Sequence, residues 1–401
     1  MDEQVDKFKV TFFIGGTPDN ISGLELMLLE YYKHADKSQY EISIVHTSEN
    51  PQFGMANSLK KIGVPEDQVT VIKDLDSKFS FMLDKRILKL LYYGIFRPVS
   101  SYLFYIFSLK KTLQKEIRSD VVYLFTNELN GYLYGFKGLV IGHNGMWVIK
   151  DNALSYKLIK NKLLWRRIDG FRLFPHNRKY AEKLNRSYSF VLQNGIDTSF
   201  FTLPKNPRTW PEVRFIFVGR LDKGKGFDMV IPAYIKISKN INCSIDIAGN
   251  GEFERIIPNG EKTNIRYHGK LDRKKIVELY KNTDILVLPS RWDPYPTVVF
   301  EALSSGLGVV VTDSVKGAYD EFEKLGMLRY TKLTVDDLTS NMEAISKDLP
   351  NIRKLSEKSH HMMETQFDVD VVTEKLFRSL KNQYIKAKTN HQDTQNQSYN
   401  S

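Results

Sequence analysis

Two carboxylates with seven residues between them, Asp293 and Glu301, lie in one stretch of the chain. Asp293 follows an apolar run that ends at Leu288, and Glu301 lies among apolar neighbours. A carboxylate in such surroundings is costly to bury unless it accepts hydrogen bonds, and the neighbouring hydroxyls of a ribose are suitable donors. The pair therefore predicts a site for a ligand rich in hydroxyl groups. These residues also leave an alternative open, in which Asp293 caps a helix and Glu301 is half exposed.

A glycine-rich loop with two cations precedes this pair. It runs from Gly219 to Gly226, directly after an apolar run, and it contains Arg220 and Lys225. Glycines let the backbone approach a ligand, and a following helix presents free amides. Together with two positive charges, these features favour a diphosphate. The pattern is not a P-loop, in which Ser or Thr follows the Lys. The alternative is an ordinary strand-to-helix turn with solvated bases.

A second glycine turn runs from Ala248 to Glu252 and contains Gly249 and Gly251. It also follows an apolar run, so it could contact the base or the phosphates of a nucleotide. Gly-Asn-Gly is a favoured turn sequence with or without a ligand, so the sequence by itself favours a plain turn here.

Short apolar runs alternate with longer periodic segments along the chain, which is typical of parallel sheets covered by helices. The predicted strands are Lys9 to Ile14, Glu41 to His46, Val121 to Phe125, Gly138 to Ile141, Val213 to Val218, Cys243 to Ala248, Ile265 to His268, Ile285 to Leu288 and Val309 to Thr312. Ligands of such sheets bind at the carboxyl ends of the strands, where the glycine-rich loop and Asp293 fall. The expected fold is α/β, with two doubly wound, Rossmann-like domains that face each other across a cleft.

The predicted domain organisation has four parts. They are an N-terminal domain over residues 1–203, a C-terminal domain over 204–365, a helix over 366–387 that returns to the N-terminal domain, and a tail over 388–401. The linker is placed in the proline-rich stretch from Leu203 to Pro211. The last residues of the chain, Asn390 to Ser401, are polar and nearly uncharged, so we expect the tail to be disordered.

Composition narrows the class of protein. A chain of 401 residues with 42% hydrophobic residues is long enough for two domains, and its net charge of +11 favours an anionic partner. Cys243 is the single cysteine, which excludes an intrachain disulfide and a cysteine-rich metal site and suits the cytoplasm. The first residues do not resemble a signal peptide, and the apolar stretch from Ile87 to Leu109 is interrupted by charge, so no transmembrane helix is expected.

The motifs together resemble the retaining glycosyltransferases of family four, which have the GT-B fold. The resemblance is carried by Gly219-Arg220-Leu221 to Lys225-Gly226, Gly249 to Gly251, Leu288-Pro289-Ser290, the spacing of Asp293 and Glu301, Asn194-Gly195-Ile196-Asp197, and Gly142-His143-Asn144-Gly145. It extends from about Lys9 to Leu376 and is strongest from Phe190 to Asp320.

The resemblance implies a UDP- or GDP-sugar donor and transfer with retention of anomeric configuration, without a metal or another cofactor. Arg220 and Lys225 would hold the diphosphate and stabilise the leaving group. Glu301 would bind the ribose, Asp293 the transferred sugar, and His143 would lie near the sugar and the acceptor hydroxyl. The predicted donor-binding residues are Gly219, Arg220, Lys225, Gly249, Gly251, Asp293, Tyr295, Pro296, Thr297, Val298 and Glu301. On the acceptor side the predicted residues are Gly23, His143 and Asn144. A buried structural histidine is the alternative for His143.

The sequence departs from the family pattern at several positions. Asp293 stands where the family has Glu, which shortens the reach of the carboxylate and leaves the sugar open. Pro296 replaces a glycine and suits the first turn of a helix. Gly308 replaces a proline, and Ser22 replaces the first glycine of an N-terminal motif.

Basic and aromatic residues interleave from Lys85 to Arg118, and bases predominate from Lys150 to Tyr188. This composition suits an anionic membrane interface. We therefore expect a peripheral enzyme at the cytoplasmic face of the membrane. Its acceptor would be a lipid-linked or membrane-presented saccharide of bacterial-type surface polysaccharide, such as lipopolysaccharide, O-antigen or capsule. A solvated basic face is the alternative.

Three other functions compete with this interpretation. A GT-B protein with a different mechanism, or an inactive one that only binds, would keep the domain layout. A nucleic-acid-binding protein is favoured only by the charge, because the sequence has no zinc-ligand spacing and no aromatic RNA-binding signature. We therefore expect no nucleic-acid partner.

Overall fold

The structure is a computed structural model, and it describes residues 6–15, 23–48, 59–60, 62–73, 117–133, 135–144, 167–177, 186–258, 264–291, 293 and 295–399. The chain divides into two compact units. One comprises Met1–Leu192 with Thr373–Ser401, and the other comprises Gln193–Val372.

The division falls before residue 193, ahead of the predicted boundary after residue 203. The proline-rich segment belongs to the C-terminal unit because its side chains are anchored there. Arg208 is buried and donates hydrogen bonds to the carbonyls of Ser305 and Gly306, and the Trp210 indole donates to Asp284. These hydrogen bonds hold the segment against the C-terminal unit.

The described part of the N-terminal unit contains a seven-stranded parallel sheet in the order β3-β2-β1-β4-β5-β6-β7. Its strands are β1 Phe8–Gly15, β2 Tyr40–Ser48, β3 Val69–Lys73, β4 Val121–Leu124, β5 Leu139–Asn144, β6 Gly170–Leu173 and β7 Phe190–Val191, and helix α1 is Gly23–His34. Short 3-10 turns are Glu66–Gln68, Asn127–Leu133 and Pro175–Asn177. All four residues of β4 are buried, as expected of a central parallel strand.

The C-terminal unit contains a six-stranded parallel sheet in the order β10-β9-β8-β11-β12-β13. Its strands are β8 Val213–Val218, β9 Cys243–Ala248, β10 Ile265–Tyr267, β11 Ile285–Leu288, β12 Gly308–Thr312 and β13 Leu328–Thr331. Its helices are α2 Phe227–Ile237, α3 Arg273–Lys281, α4 Thr297–Ser304, α5 Asp320–Leu325, α6 Val335–Lys347 and α7 Leu349–Met362. A wide π-type turn, Met363–Phe367, follows α7.

The predicted α/β class with two Rossmann-like parallel-sheet domains is confirmed. A strand lies at each of the nine predicted positions, while β3, β6, β7 and β13 were not predicted. The missed strands have at most five residues, and β7 and β13 are only partly buried, so their apolar signal is weak. The predicted cleft between the domains stays a prediction.

Both sheets reverse their strand order at the same place. In the first sheet the reversal lies between β1 and β4, and in the second between β8 and β11. The connections that leave two such strands diverge to opposite faces of the sheet, which opens a crevice at their carboxyl ends. The loops after β8 and β11 are the glycine-rich loop and the Asp293 segment.

The last helix, α8 Val369–Tyr399, begins in the C-terminal unit and belongs to the N-terminal unit from Thr373. Its Phe377 ring lies 4.6 Å from the Tyr40 ring and 5.8 Å from the Phe12 ring, centroid to centroid. These aromatic contacts fasten the helix to the first sheet.

Helix α8 continues past residue 388, where the composition predicts a disordered tail. The residues from 388 to Tyr399 include no glycine or proline, so the sequence has no helix-terminating residue there. Among the described residues, no helix combines the length and the apolar composition that a bilayer span requires.

Candidate active site

The loops after β8 and β9 pack backbone against backbone. Gly219 donates its amide hydrogen to the carbonyl of Ala248 at 3.0 Å, and Leu221 donates to Asn250 at 2.9 Å. Gly249 has a φ of +147°, and a Cβ there would lie 1.8 Å from the Gly219 carbonyl oxygen. Only glycine fits this position, so the second glycine turn supports the cationic loop directly.

Gly251 has a similar role one step further along the turn. Its φ is +155°, and a Cβ there would lie 2.7 Å from the Leu221 carbonyl oxygen. The same oxygen accepts a hydrogen bond from the Phe253 amide at 2.9 Å. The structure therefore gives Gly249 and Gly251 a packing function, and their contact with a donor stays a prediction.

The glycine-rich loop is also tied to the segment after β11 by a group that we call the Arg291 clasp, namely Arg291, Asp228 and the carbonyls of Lys223 and Gly224. The guanidinium makes two bonds to the Asp228 carboxylate, at 2.6 and 3.0 Å, and a third to the Lys223 carbonyl at 2.8 Å. The Arg291 amide donates to Gly224 at 2.7 Å. Bidentate arginine–carboxylate pairs are the geometrically specific kind, so the clasp holds the loop in one shape.

Sequence reasoning did not select Arg291 or Asp228. The two residues are 63 positions apart, and each is an ordinary charged residue in its local surroundings. The one local signal is that Arg291 lies shortly after the buried strand β11, beyond Pro289 and Ser290.

Lys225 and Asp293 form an ion pair between the two loops, from Nζ to Oδ2. The Lys225 amide is held in turn by the Asp222 carboxylate, at 2.8 Å. The two paired side chains are 23% and 15% exposed, so the pair is largely buried but still reaches solvent. The structure thus brings together the predicted phosphate-binding cation and the predicted sugar-binding carboxylate.

Arg220 is held less firmly. Its side chain is 73% exposed, and its Nε lies 3.2 Å from Asp222 Oδ2. Exposed ion pairs contribute little stability, so the Arg220 guanidinium can turn toward an incoming anion at small cost.

Asp293 does not cap helix α4. The residue before the first turn is Pro296, which makes no side-chain capping bond, and the helix begins at Thr297. The sequence predicts Pro296 within the first turn of the helix. In the structure, Pro296 instead lies one position before that turn. The amides of Thr297 and Val298 belong to the first turn, whose N–H groups have no partner within the helix and favour anions.

The chain enters α4 over an aromatic group. The Tyr295 ring stacks on Tyr319 with centroids 5.5 Å apart, and the Tyr319 hydroxyl donates to the Pro296 carbonyl at 3.1 Å. Tyr295 and Pro296 are both buried, so any donor contact at these two positions would come from the backbone. Thr297 is exposed and Val298 is half-buried.

Glu301 lies half-buried on α4 and accepts a hydrogen bond of 3.4 Å from the Tyr280 hydroxyl. Burial raises the pKa of Glu301 to about 7, while the positive charge of Arg273 and the Tyr280 hydrogen bond act in the opposite direction. The Arg273 guanidinium lies over the rings of Phe200 and Phe201. Glu301 is therefore a carboxyl group whose charge changes near neutral pH. Tyr280 and Arg273 were not predicted as site residues.

In the N-terminal unit, His143 lies near the carboxyl end of β5 and is 5% exposed. Its Nδ1 is 2.8 Å from the Tyr123 hydroxyl and 3.2 Å from Arg172 Nη1. Burial, followed by the charge of Arg172, lowers the pKa of His143 well below its usual 6.5. Gly23 opens α1 and Asn144 ends β5, so these two predicted residues also lie at element ends.

Other predicted features lie wholly or mostly outside the described residues. Ser22 is one of them, and the basic stretch from Lys85 to Arg118 is described only at 117–118. The stretch from Lys150 to Tyr188 is described at 167–177 and 186–188. Within the described ranges, no three His, Cys, Asp or Glu side chains come together as a metal site.

Comparison with known proteins gives a family match for the unit that carries these loops. Residues 203–366 match the family described as Glycosyl transferases group 1. An uncharacterized 41.2 kDa protein in the cps region of Klebsiella pneumoniae is 31% identical over 125 residues, which cover 28% of this chain and 34% of that protein. The chain spans about a third of the length of the curated relatives that it matches.

Many solved structures resemble this chain, including two that match it over nearly its whole length. The Anabaena protein HepE in complex with UDP and glucose has a TM-score of 0.63 at 13% identity, over 92% of this chain and 99% of that one. A lipopolysaccharide outer core galactosyltransferase has a TM-score of 0.64 at 15% identity, over 95% and 100%. At such identities the likeness shows the fold. Residues 203–366 therefore match a glycosyl transferase domain, and the neighbours share the fold of nearly the whole chain.

Proposed function

We propose that this chain is a nucleotide-sugar-dependent glycosyltransferase that retains anomeric configuration and needs no metal. The observation that carries the proposal is the Lys225–Asp293 pair, which lies between the glycine-rich loop and the start of α4. A cation and a carboxylate pair there at the carboxyl edge of a doubly wound sheet, and the carboxylate precedes the first helical residue, Thr297, by four positions. The diphosphate and the hydroxyls of a nucleotide sugar require this combination of groups.

The leaving group of the proposed reaction is a nucleoside diphosphate. When the bond between the anomeric carbon and the phosphate oxygen breaks, negative charge builds on the departing phosphate. Lys225, Arg220 and the first amides of α4 are the groups that would stabilise it, and preorganised charges of this kind give large rate effects. The acceptor oxygen would form the new bond on the face from which the diphosphate leaves, and the proton of its hydroxyl would pass to the departing phosphate oxygen.

The two carboxylates would divide the rest of the donor. Glu301 would accept hydrogen bonds from the ribose, since its half-buried oxygens favour a donor that compensates for burial. Asp293 would bind hydroxyls of the transferred sugar while Lys225 turns to the diphosphate. UDP is the favoured nucleotide because the similar HepE structure was solved with UDP.

The acceptor is proposed to be a lipid-linked or membrane-presented saccharide of a surface polysaccharide, glycosylated at the cytoplasmic face of the membrane. Three observations support this class. One relative is encoded in a cps region, one structural neighbour is a lipopolysaccharide galactosyltransferase, and the net charge of +11 favours an anionic surface.

A panel of UDP- and GDP-sugars in a thermal-shift assay tests the donor proposal, because a ligand that binds only the folded chain raises its melting temperature. We expect one UDP-sugar to raise it in the presence of EDTA, and Lys225→Met to abolish the shift. Lys236→Met is the matched control, because Lys236 forms an exposed ion pair with Asp336 in the same unit. A panel without any stabilising nucleotide sugar would contradict the proposal.

Two further measurements test the finer parts. The anomer of the product, determined by proton NMR, decides between retention and inversion. Co-sedimentation with vesicles tests the membrane, and we expect binding to anionic vesicles at moderate salt but not to neutral ones. Donor binding without transfer or hydrolysis under any condition would favour an inactive binding protein instead.

A further inference from the structure

His143 belongs to a buried polar cluster formed by three neighbouring strands of the first sheet. Arg172 on β6 is the register partner of His143 on β5, and Tyr123 lies on β4. Register partners project from the same face of a sheet, so strand pairing itself places the guanidinium beside the imidazole. Arg172 is 1% exposed, and its guanidinium also lies 5.2 Å from the centroid of the Phe174 ring.

The hydrogen bonds in this cluster have only one possible direction at His143. A guanidinium carries N–H donors and no acceptor, so a bond from Arg172 Nη1 to His143 Nδ1 at 3.2 Å requires a lone pair on Nδ1. The Tyr123 hydroxyl, at 2.8 Å from the same nitrogen, must then donate as well. The guanidinium, which can only donate, thus favours an Nδ1 without a proton.

The surroundings of His143 also favour a neutral imidazole. Burial and the nearby positive charge of Arg172 both lower the pKa of His143, because each disfavours a second proton on the ring. A neutral imidazole carries one N–H, and with Nδ1 accepting, that hydrogen lies on Nε2. The Phe125 ring lies nearly parallel to the imidazole, with centroids 6.0 Å apart, and restricts its rotation.

We propose that Arg172 and Tyr123 are positioning residues that fix His143 as the Nε2–H tautomer, so that His143 donates a hydrogen bond to a substrate oxygen and does not remove the proton of the acceptor hydroxyl. The hydrogen bond to a substrate rests on the proposed glycosyltransferase function, whereas the assignment of the tautomer does not depend on that function. A base needs a free lone pair, but in this tautomer Nε2 carries the hydrogen, and Arg172 and Tyr123 already share the single lone pair of Nδ1. Such a donor suits a sugar hydroxyl or phosphate oxygen.

The tautomer is measured on the full chain with ¹⁵N-labelled histidine, in spectra that correlate the ring nitrogens with the carbon-bound ring protons. The chain has eight histidines, and the set of signals that is lost in His143→Gln is assigned to His143. We expect a proton on Nε2 and none on Nδ1. A proton on Nδ1, or an imidazolium at neutral pH, would overturn the inference.

Two variants test the positioning residues. Tyr123→Phe should keep the tautomer, because Arg172 still donates to Nδ1, whereas Arg172→Met should give a mixture of both tautomers. An unchanged spectrum in folded Arg172→Met would remove Arg172 from its proposed role. Where Arg172→Met does not fold, the wild-type and Tyr123→Phe spectra still decide the tautomer.

The donor role is tested by transfer rates. The glutamine amide places an N–H donor near the position of Nε2 but cannot act as a base. We therefore expect His143→Gln to lose less than about tenfold in kcat and His143→Leu to lose more. Loss of a general base costs about 100-fold or more, so a loss of that size in His143→Gln would overturn the donor role. If the wild-type chain transfers no sugar, the function fails while the spectra still judge the tautomer.

Discussion

The two sheets reverse their strand order at equivalent positions, but the polar groups at the two edges differ. After β8 and β11, Lys225, Asp293 and Arg220 lie in ion pairs that reach solvent, on loops held by glycine contacts and by the Arg291 clasp. Near β4, β5 and β6, the polar side chains are instead buried, and Arg172 and His143 are at most 5% exposed. A paired charge near solvent can exchange its partner for a charged ligand, whereas a buried donor fixes the protonation state of its neighbour.

The largest effect should come from the exchangeable charge. We expect Lys225→Met to lower kcat by about 100-fold or more, because it removes a cation from the departing diphosphate. The free energy of unfolding should fall by about 1 to 3 kcal/mol, because the Asp293 carboxylate is only 15% exposed and loses its charged partner. Transfer assays and urea unfolding measure the two effects, with Lys236→Met as the control for each. A wild-type kcat in Lys225→Met would end the distinction between the two edges.

The backbone support of the C-terminal edge can be broken separately. In Gly249→Ala, the new Cβ would overlap the Gly219 carbonyl and φ would be unfavourable, so we expect a loss of at least about 3 kcal/mol in the free energy of unfolding. Gly326→Ala is the matched control. Its φ is +91°, but its Cβ would make only ordinary contacts, so about 1 kcal/mol is expected. Equal losses in urea unfolding would show that backbone strain alone decides the effect.

The Arg291 clasp should act on donor binding more than on chemistry. Arg291→Lys keeps the charge but loses the bidentate geometry, and we expect the donor Kd to rise about tenfold with a smaller change in kcat. A double-mutant cycle with Asp228→Asn should give a coupling of about 1 kcal/mol or more, because the two side chains contact each other directly. Glu212 and Arg214 form a pair of similar exposure and provide the control cycle, in which donor binding should stay unchanged. Additive effects of Arg291→Lys and Asp228→Asn on Kd would argue against a clasp.

The smallest expected effect concerns pH. Because the pKa of Glu301 is raised to about 7, the carboxylate takes up a proton as pH falls through neutrality. A neutral carboxyl accepts ribose hydroxyls less strongly, so the donor Kd should rise about threefold to tenfold below pH 7. Calorimetry measures the donor Kd at each pH, and in Glu301→Gln the Kd should not change with pH in this range. In Tyr280→Phe the midpoint should move upward, since a hydrogen bond that lowers the pKa is lost.

The same pKa predicts a change in stability with a fixed sign. The folded chain holds the Glu301 proton between about pH 4.5 and about pH 7, where the unfolded chain has released it. The free energy of unfolding therefore falls as pH rises through this range. Denaturant titrations of the wild type and Glu301→Gln should differ in this slope, and parallel curves would contradict a raised pKa.

The local sequence predicts the loops after β8 and β11. It does not predict contacts between residues that are distant in the sequence. Gly219 to Gly226 and the Asp293 to Glu301 spacing are continuous motifs, whose chemistry follows from neighbouring residues. The partners of the Arg291 clasp lie 63 positions apart, and Arg172 reaches His143 through the register of β5 and β6. A register is set by the whole sheet, so one strand's sequence does not reveal which side chains meet across it.

The pairing of Lys225 with Asp293 has a consequence for turnover under the proposed function. While an intact donor is bound, its sugar hydroxyls occupy the carboxylate and its diphosphate occupies the cation. Once the sugar has moved to the acceptor, Asp293 is released and competes with the nucleoside diphosphate for Lys225. The enzyme would thus contain an internal competitor for its own product, which speeds product departure after each transfer and resets the crevice for the next donor.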